Sequence, residues 1–183
     1  MVQKERKASI AQMLAKLEGI KFKPKNLISD WILLTYDIPA GPEGNKARYE
    51  FIKHTSKIGA IMHTRSVYLM PWSEDAEIEA LKVTKAGTAY LWQTNTKSET
   101  KKKELTNFYD KEINDRLDDI EKRIKRIRKH FEADELRPAN RMIKKTGELL
   151  NDIVTAATFR SSNQILARTA VLYKKLLEVN KDL

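Results

Sequence analysis

The stretch WILLTYDIPAGPEGNKARYEFIKH, residues 31–54, runs from an unbroken apolar segment through a Pro/Gly loop into a basic, helix-like segment. WILLTY has the continuous apolar character of a strand buried on both faces or central in a sheet. PAGPEG is a loop, and Asn45 to Lys57 reads as a helix with Phe51 and Ile52 inward, stopped near Gly59. Two short β-prone runs follow, AIMH and SVYLM, joined at Thr64-Arg65 as a hairpin. EDAEIEALK, residues 74–82, places Ile78 and Leu81 at helical spacing and puts acids in the first turn, where the helix dipole favours them. TAYLWQT, Thr88 to Thr94, is the last strand. The expected fold is α+β: a β-α-β-β-α-β, ferredoxin-like unit followed by an all-α bundle.

Outward from this unit the pattern becomes helical. Upstream, Ile10, Met13, Leu14 and Leu17 mark a short amphipathic helix from Ser9 to Glu18, followed by the basic arm KFKPK. Downstream, Ile113, Leu117, Ile120, Ile124, Ile127 and Phe131 are spaced 4, 3, 4, 3, 4, a heptad seam on one helix from about Lys101 to Glu132. The Leu105, Tyr109, Ile113 spacing shifts that seam as a stutter does. Leu136-Arg137-Pro138 breaks the helix. A second helix carries Met142, Ile143, Leu149, Leu150, Ile153 and Val154 on one side, and a third starts at Ser161, with Ser161 and Gln164 as a capping box. The expected domains are an N-terminal helix and arm (1–28), the ferredoxin-like unit (29–96) and a three-helix domain (97–183).

The 183 residues carry a net charge of +10 and no cysteine, which excludes disulfides, thiolate metal sites and cysteine nucleophiles. The charge is uneven: residues 1–30 contribute +4, residues 31–98 only +1, and residues 99–183 the remaining +5. Basic flanks favour polyanions. No apolar run is long enough for a membrane span, and the N-terminus lacks the h-region of a secretion signal. A cytoplasmic protein without membrane partners is expected.

WILLTYDIP, the KIGA that follows the first helix and SVYLMP together resemble the N-terminal domain of chromate-resistance regulatory proteins. The same stretch is similar to the small ferredoxin-like CRISPR-associated endonuclease family, where a first strand ends in Tyr-Asp and a later one carries Ser-Val-aromatic, here Ser66-Val67-Tyr68. A related domain is found in phenylacetate-pathway repressors. The resemblance covers about residues 31–94. It implies nucleic-acid association, often as a dimer built through the sheets, and it implies for Asp37 the place of a metal ligand paired with its twin across that dimer.

On the residues themselves, Asp37 is either turn chemistry before Ile-Pro or a catalytic, magnesium-binding carboxylate. The candidate nucleic-acid contacts are Lys21, Lys23 and Lys25 on the arm, Arg48 and Lys53 on the first helix, Arg65 in the hairpin, and Lys122, Arg123, Lys125, Arg126, Arg128 and Lys129 on the long helix. Trp31, Trp72, Trp92, Tyr68 and Tyr90 are either core or base-stacking residues. His54, His63 and His130 have no metal-ligand spacing, and no P-loop is present. Six acids between Asp110 and Glu121 precede six bases between Lys122 and Lys129. This gradient suits the dipole of one helix and also permits antiparallel pairing of two copies, so a homodimer through this helix or the sheet is expected. The function expected is a dimeric, non-catalytic, nucleic-acid-binding regulatory or accessory protein acting in transcription regulation, without a cofactor. The alternatives are a magnesium-dependent endonuclease using paired Asp37 and a protein-interaction scaffold.

Overall fold

The apolar run 31–36 becomes β1 (Asp30–Tyr36), an interior strand of a four-stranded antiparallel sheet whose other strands are β2 (Ile61–Thr64), β3 (Val67–Pro71) and β4 (Ala89–Asn95). The strands lie in the order β2-β3-β1-β4. Leu33 sits opposite Leu69 on one side and Trp92 on the other. The structure, a computed structural model, describes residues 10–17, 19–23, 25–39, 41–84 and 89–180. The expected ends of the first helix, Ser9 and Glu18, and Thr88 of the last strand lie outside them.

Alternation sorts the sheet into two faces. Ile32, Leu34 and Tyr36 share one with Tyr68 and Met70, and this face is covered by α1 (Pro42–Lys57) and α2 (Glu74–Thr84). Phe51 of α1 stacks on Tyr36 at 4.7 Å and on Tyr68 at 5.5 Å between ring centroids. Helix α1 starts three residues before the expected Asn45 because Pro42, at its first turn, is already set at a helical φ. One expectation about facing is corrected: Ile52 points outward. Helix α2 buries Ala76, Ala80 and Val83 while Ile78 and Leu81 stay 54% and 47% exposed. Small side chains let α2 approach the sheet closely, and that contact overrides the larger apolar pair.

On the other face, Trp31 packs against Tyr109, 6.0 Å between centroids, on α3 (Glu99–Glu132). The Tyr109 hydroxyl donates to Gly59 O at 2.7 Å, so the shifted upstream seam serves the sheet. The regular seam, Ile113 to Ile127, is buried against α4 (Leu136–Arg160) and α5 (Asn163–Val179). Ser162, one residue later than expected, caps α5 by accepting from Ile165 N, while Ser161 at φ 52° closes α4. Helical residues 10–17 join the bundle, where Ile10 and Met13 share a pocket with Ile143, Gly147 and Tyr173. The buried apolar side chains form one connected core from sheet to bundle. No helix among the described residues is long and apolar enough to cross a membrane.

Candidate functional site

The fold treats the acidic and basic halves of α3 differently. Asp110 is held by Arg160, whose Nε and Nη2 donate at 2.8 and 2.9 Å. Asp115 pairs with Lys111, Asp118 with Arg168, Asp119 with Lys122 and Glu121 with Lys175. The Lys175 hydrogen bond holds the Glu121 carboxyl below its usual value. Five of the six acids are thus neutralised within one chain, and the apolar seam beside them is filled. The two features that offered α3 to a second copy are already engaged.

Most of the bases have no such partners among the described residues. Among the described residues the side chains of Arg123, Arg126, Arg128 and Lys129 make no hydrogen bond or ion pair, and Lys122 alone of the cluster is bridged, to Asp119 at 3.1 Å. Because α4 returns antiparallel along α3, Arg123 comes to line a cleft with Arg141, Met142, Lys144, Lys145 and Glu148. Four cations there face one acid, itself 3.6 Å from Lys145. The cleft on the opposite side of α3 balances Lys125, Arg128, Lys129 and Lys175 against Glu121, Glu132 and Glu178. The α3–α4 cleft is therefore the more cationic of the two. Arg141, Lys144 and Lys145 were missed by the sequence reading. Their spacing of three and four marks one helix face, but only the return of α4 shows that this face adjoins Arg123.

A second cleft gathers three residues that lie apart in sequence: Asp37, Arg48 and Arg65, with Tyr36, Ile38, Met62 and Ser66. Arg48 Nη2 donates to Ile38 O and Nη1 to Asn45 Oδ1, each at 3.2 Å, which fixes the loop after β1 to α1. Gly44 makes the same junction possible, since a Cβ there would fall 1.8 Å from Pro39 O. The Asp37 carboxylate is exposed and accepts no hydrogen bond among the described residues, so no turn-capping bond accounts for it. One carboxylate beside two guanidiniums suits an anion better than a divalent cation, which needs several oxygen ligands. Within one chain the fit to magnesium is poor. No group of three or more His, Asp or Glu able to hold a metal occurs among the described residues.

The remaining candidates scatter. Lys53 is paired with Glu50 at 3.5 Å. Lys21, Lys23 and Lys25 project from an arm pinned by its backbone: Asn163 exchanges two 2.9 Å hydrogen bonds with Phe22, and Arg160 donates to Lys25 O. Of the aromatics, Trp31 and Tyr68 are core, and Trp72 is half-buried with its indole N–H on Glu77. Tyr90 and Trp92, 59% and 57% exposed, stand on the same face of the edge strand β4, where Trp92 Nε1 donates to Thr35 Oγ1. His63 packs edge-on against Phe108, and His130 is bonded to Glu135. Compared with family models, with curated proteins and with solved structures, the chain matches none.

Proposed function

We propose that this protein binds nucleic acid through the phosphate backbone, with the α3–α4 cleft as its principal contact, and acts as an intracellular regulatory or accessory factor. The observation that carries the reading is the convergence of Arg123, Arg141, Lys144 and Lys145 from two antiparallel helices onto one cleft with a single acid. Among the described residues Arg123, Arg141 and Lys144 have no internal carboxylate partner, and Lys145 only the exposed Glu148 at 3.6 Å; such groups replace counterions along a polyanion. Arg126 adds charge beyond the cleft, Arg128 and Lys129 add theirs on the opposite side of α3, and the pinned arm adds Lys21, Lys23 and Lys25. These are positioning contacts, and sequence preference is expected to be slight.

The element order and the strand order β2-β3-β1-β4 support assigning residues 30–95 to the ferredoxin-like arrangement, with both covering helices on one face. A homodimer, if formed, is assigned to the open edge of β4 and not to α3, whose seam is filled. The test compares duplex binding by the wild type, by Arg141→Gln/Lys144→Gln/Lys145→Gln and by Arg48→Gln/Arg65→Gln. The reading expects the first variant to lose at least about tenfold in affinity at 0.1 M salt and the second to lose less. Equal affinity of wild type and cleft variant would remove the basis of the reading. Magnesium-dependent cleavage abolished by Asp37→Asn, with binding retained, would replace it by the nuclease alternative.

A further inference from the structure

A third cleft, of about 380 Å³, opens where the α+β unit meets the bundle. Its walls come from five elements: Ile52 and Ser56 on α1, Met62 on β2, Tyr68 on β3, Arg116, Ile120 and Arg123 on α3, and Leu149, Asp152 and Ile153 on α4. The volume and the largely apolar lining with a few converging polar groups are those of a small-molecule site between structural units.

Arg116 is the unusual member. It is largely buried, and among the described residues its guanidinium makes one hydrogen bond, Nη2 to Ala60 O at 3.1 Å, and no ion pair. Of five N–H donors, one is used within the chain. A cation kept from water without a bonded anion is costly, and the cost shows in its proton affinity, which burial lowers. The remaining donors border the cleft. The acids close by, Glu112 and Asp152, favour the charged guanidinium through space without hydrogen-bonding it; Asp119 is bridged to Lys122, and the Asp152 carboxyl is pushed upward by burial. An acceptor on Asp152 and a cation on Arg116, with apolar walls between, ask for an occupant carrying an anionic group, an apolar body and a hydrogen-bond donor.

We infer that this cleft binds a small organic carboxylate, its anionic group seated on Arg116, its apolar body against Met62, Leu149 and Ile153, and a donor directed to Asp152. An inorganic oxyanion would leave the apolar walls unused, and a neutral aromatic would leave the guanidinium unpaired. The inference does not depend on nucleic-acid binding.

The test uses the full chain, ¹⁵N-labelled, titrated with indole-3-acetate, with neutral indole-3-acetamide and with sodium sulfate at matched ionic strength. Indole-3-acetate is expected to give one saturable set of amide shifts around Met62, Tyr68, Leu149 and Ile153, with a Kd at or below about 1 mM. The acetamide and Arg116→Gln are each expected to weaken binding by about tenfold or more, as loss of a charge-assisted hydrogen bond does. Ser56→Phe, which narrows the cleft from the α1 wall and leaves the Arg116 side chain in place, is expected to abolish the shifts while the folded spectrum is retained. The inference is overturned by equal binding of acid and amide, by displacement with sulfate, by shifts confined to Arg126 and Arg128, or by no saturable shift up to roughly 10 mM.

Discussion

Gly59 stands at φ +74°, and a Cβ on it would lie 2.6 Å from the Cα of Ala156. The same residue supplies the carbonyl that receives the Tyr109 hydroxyl, so one glycine joins the end of α1 to both α3 and α4. Gly59→Ala combines a left-handed backbone with a clash against a backbone atom that cannot swing aside. It is expected to cost about 2–4 kcal/mol in denaturant unfolding. Asp152 acts in the opposite direction, as a buried carboxyl whose removal stabilises. Its carboxyl is raised by burial above the unfolded value of 3.8, against the pull of Lys145, Lys57 and Arg116 and with a push from Glu148. The folded state therefore binds the proton more tightly. Asp152 penalises stability once ionised, and the penalty fades as the pH falls through its folded pKa towards 3.8. Asp152→Asn is expected to raise the thermal midpoint at pH 7 and to show no advantage near about pH 3; a higher wild-type midpoint at pH 7 would contradict this.

Helix α3 joins the sheet, through Tyr109 against Trp31, to α4 and α5 of the bundle. Its cohesion with α4 includes the Arg160–Asp110 pair, in which the arginine side chain is only 7% exposed and also holds the arm through Lys25 O. Arg160→Met alone is expected to destabilise by about 3–5 kcal/mol, because it strands Asp110, whereas Arg160→Met with Asp110→Leu should recover most of the loss. Equal losses in the single and double variants would show that the pairing is not what matters. The same helix shows what a sequence discloses. The 4-3-4-3-4 spacing gave its length and inward face, because apolar periodicity and burial share one cause. The strand run at Trp31 was legible for the same reason. What the spacing left open was facing where two apolar choices competed, as in α2, whose alanines rather than Ile78 and Leu81 are buried. The fate of charge was also illegible. Whether Asp118 and Glu121 were free depended on Arg168 and Lys175, fifty or more residues away.

At the scale of the whole molecule, the +10 charge is less informative than its distribution after folding. The bundle consumes most acids of α3 in internal pairs and leaves the bases at its far end exposed, beside Arg141, Lys144 and Lys145. Arg48 and Arg65 form a second cationic spot beyond the C-terminal end of β1, in one cleft with the unbonded Asp37. Both α3 and the sheet can keep their shape without ligand, because each is anchored in the shared core. For the proposed nucleic-acid contact, the expected mode is therefore a rigid cationic surface meeting a phosphate backbone, with little folding on contact.

The most direct measurement is the salt dependence of duplex affinity. If the four cleft cations each displace a phosphate counterion, log Kobs against log salt should fall with a slope of about −3.6 or steeper, and Arg141→Gln/Lys144→Gln/Lys145→Gln should flatten it by about 2.7. A wild-type slope near zero, or one unchanged in that variant, would contradict the account.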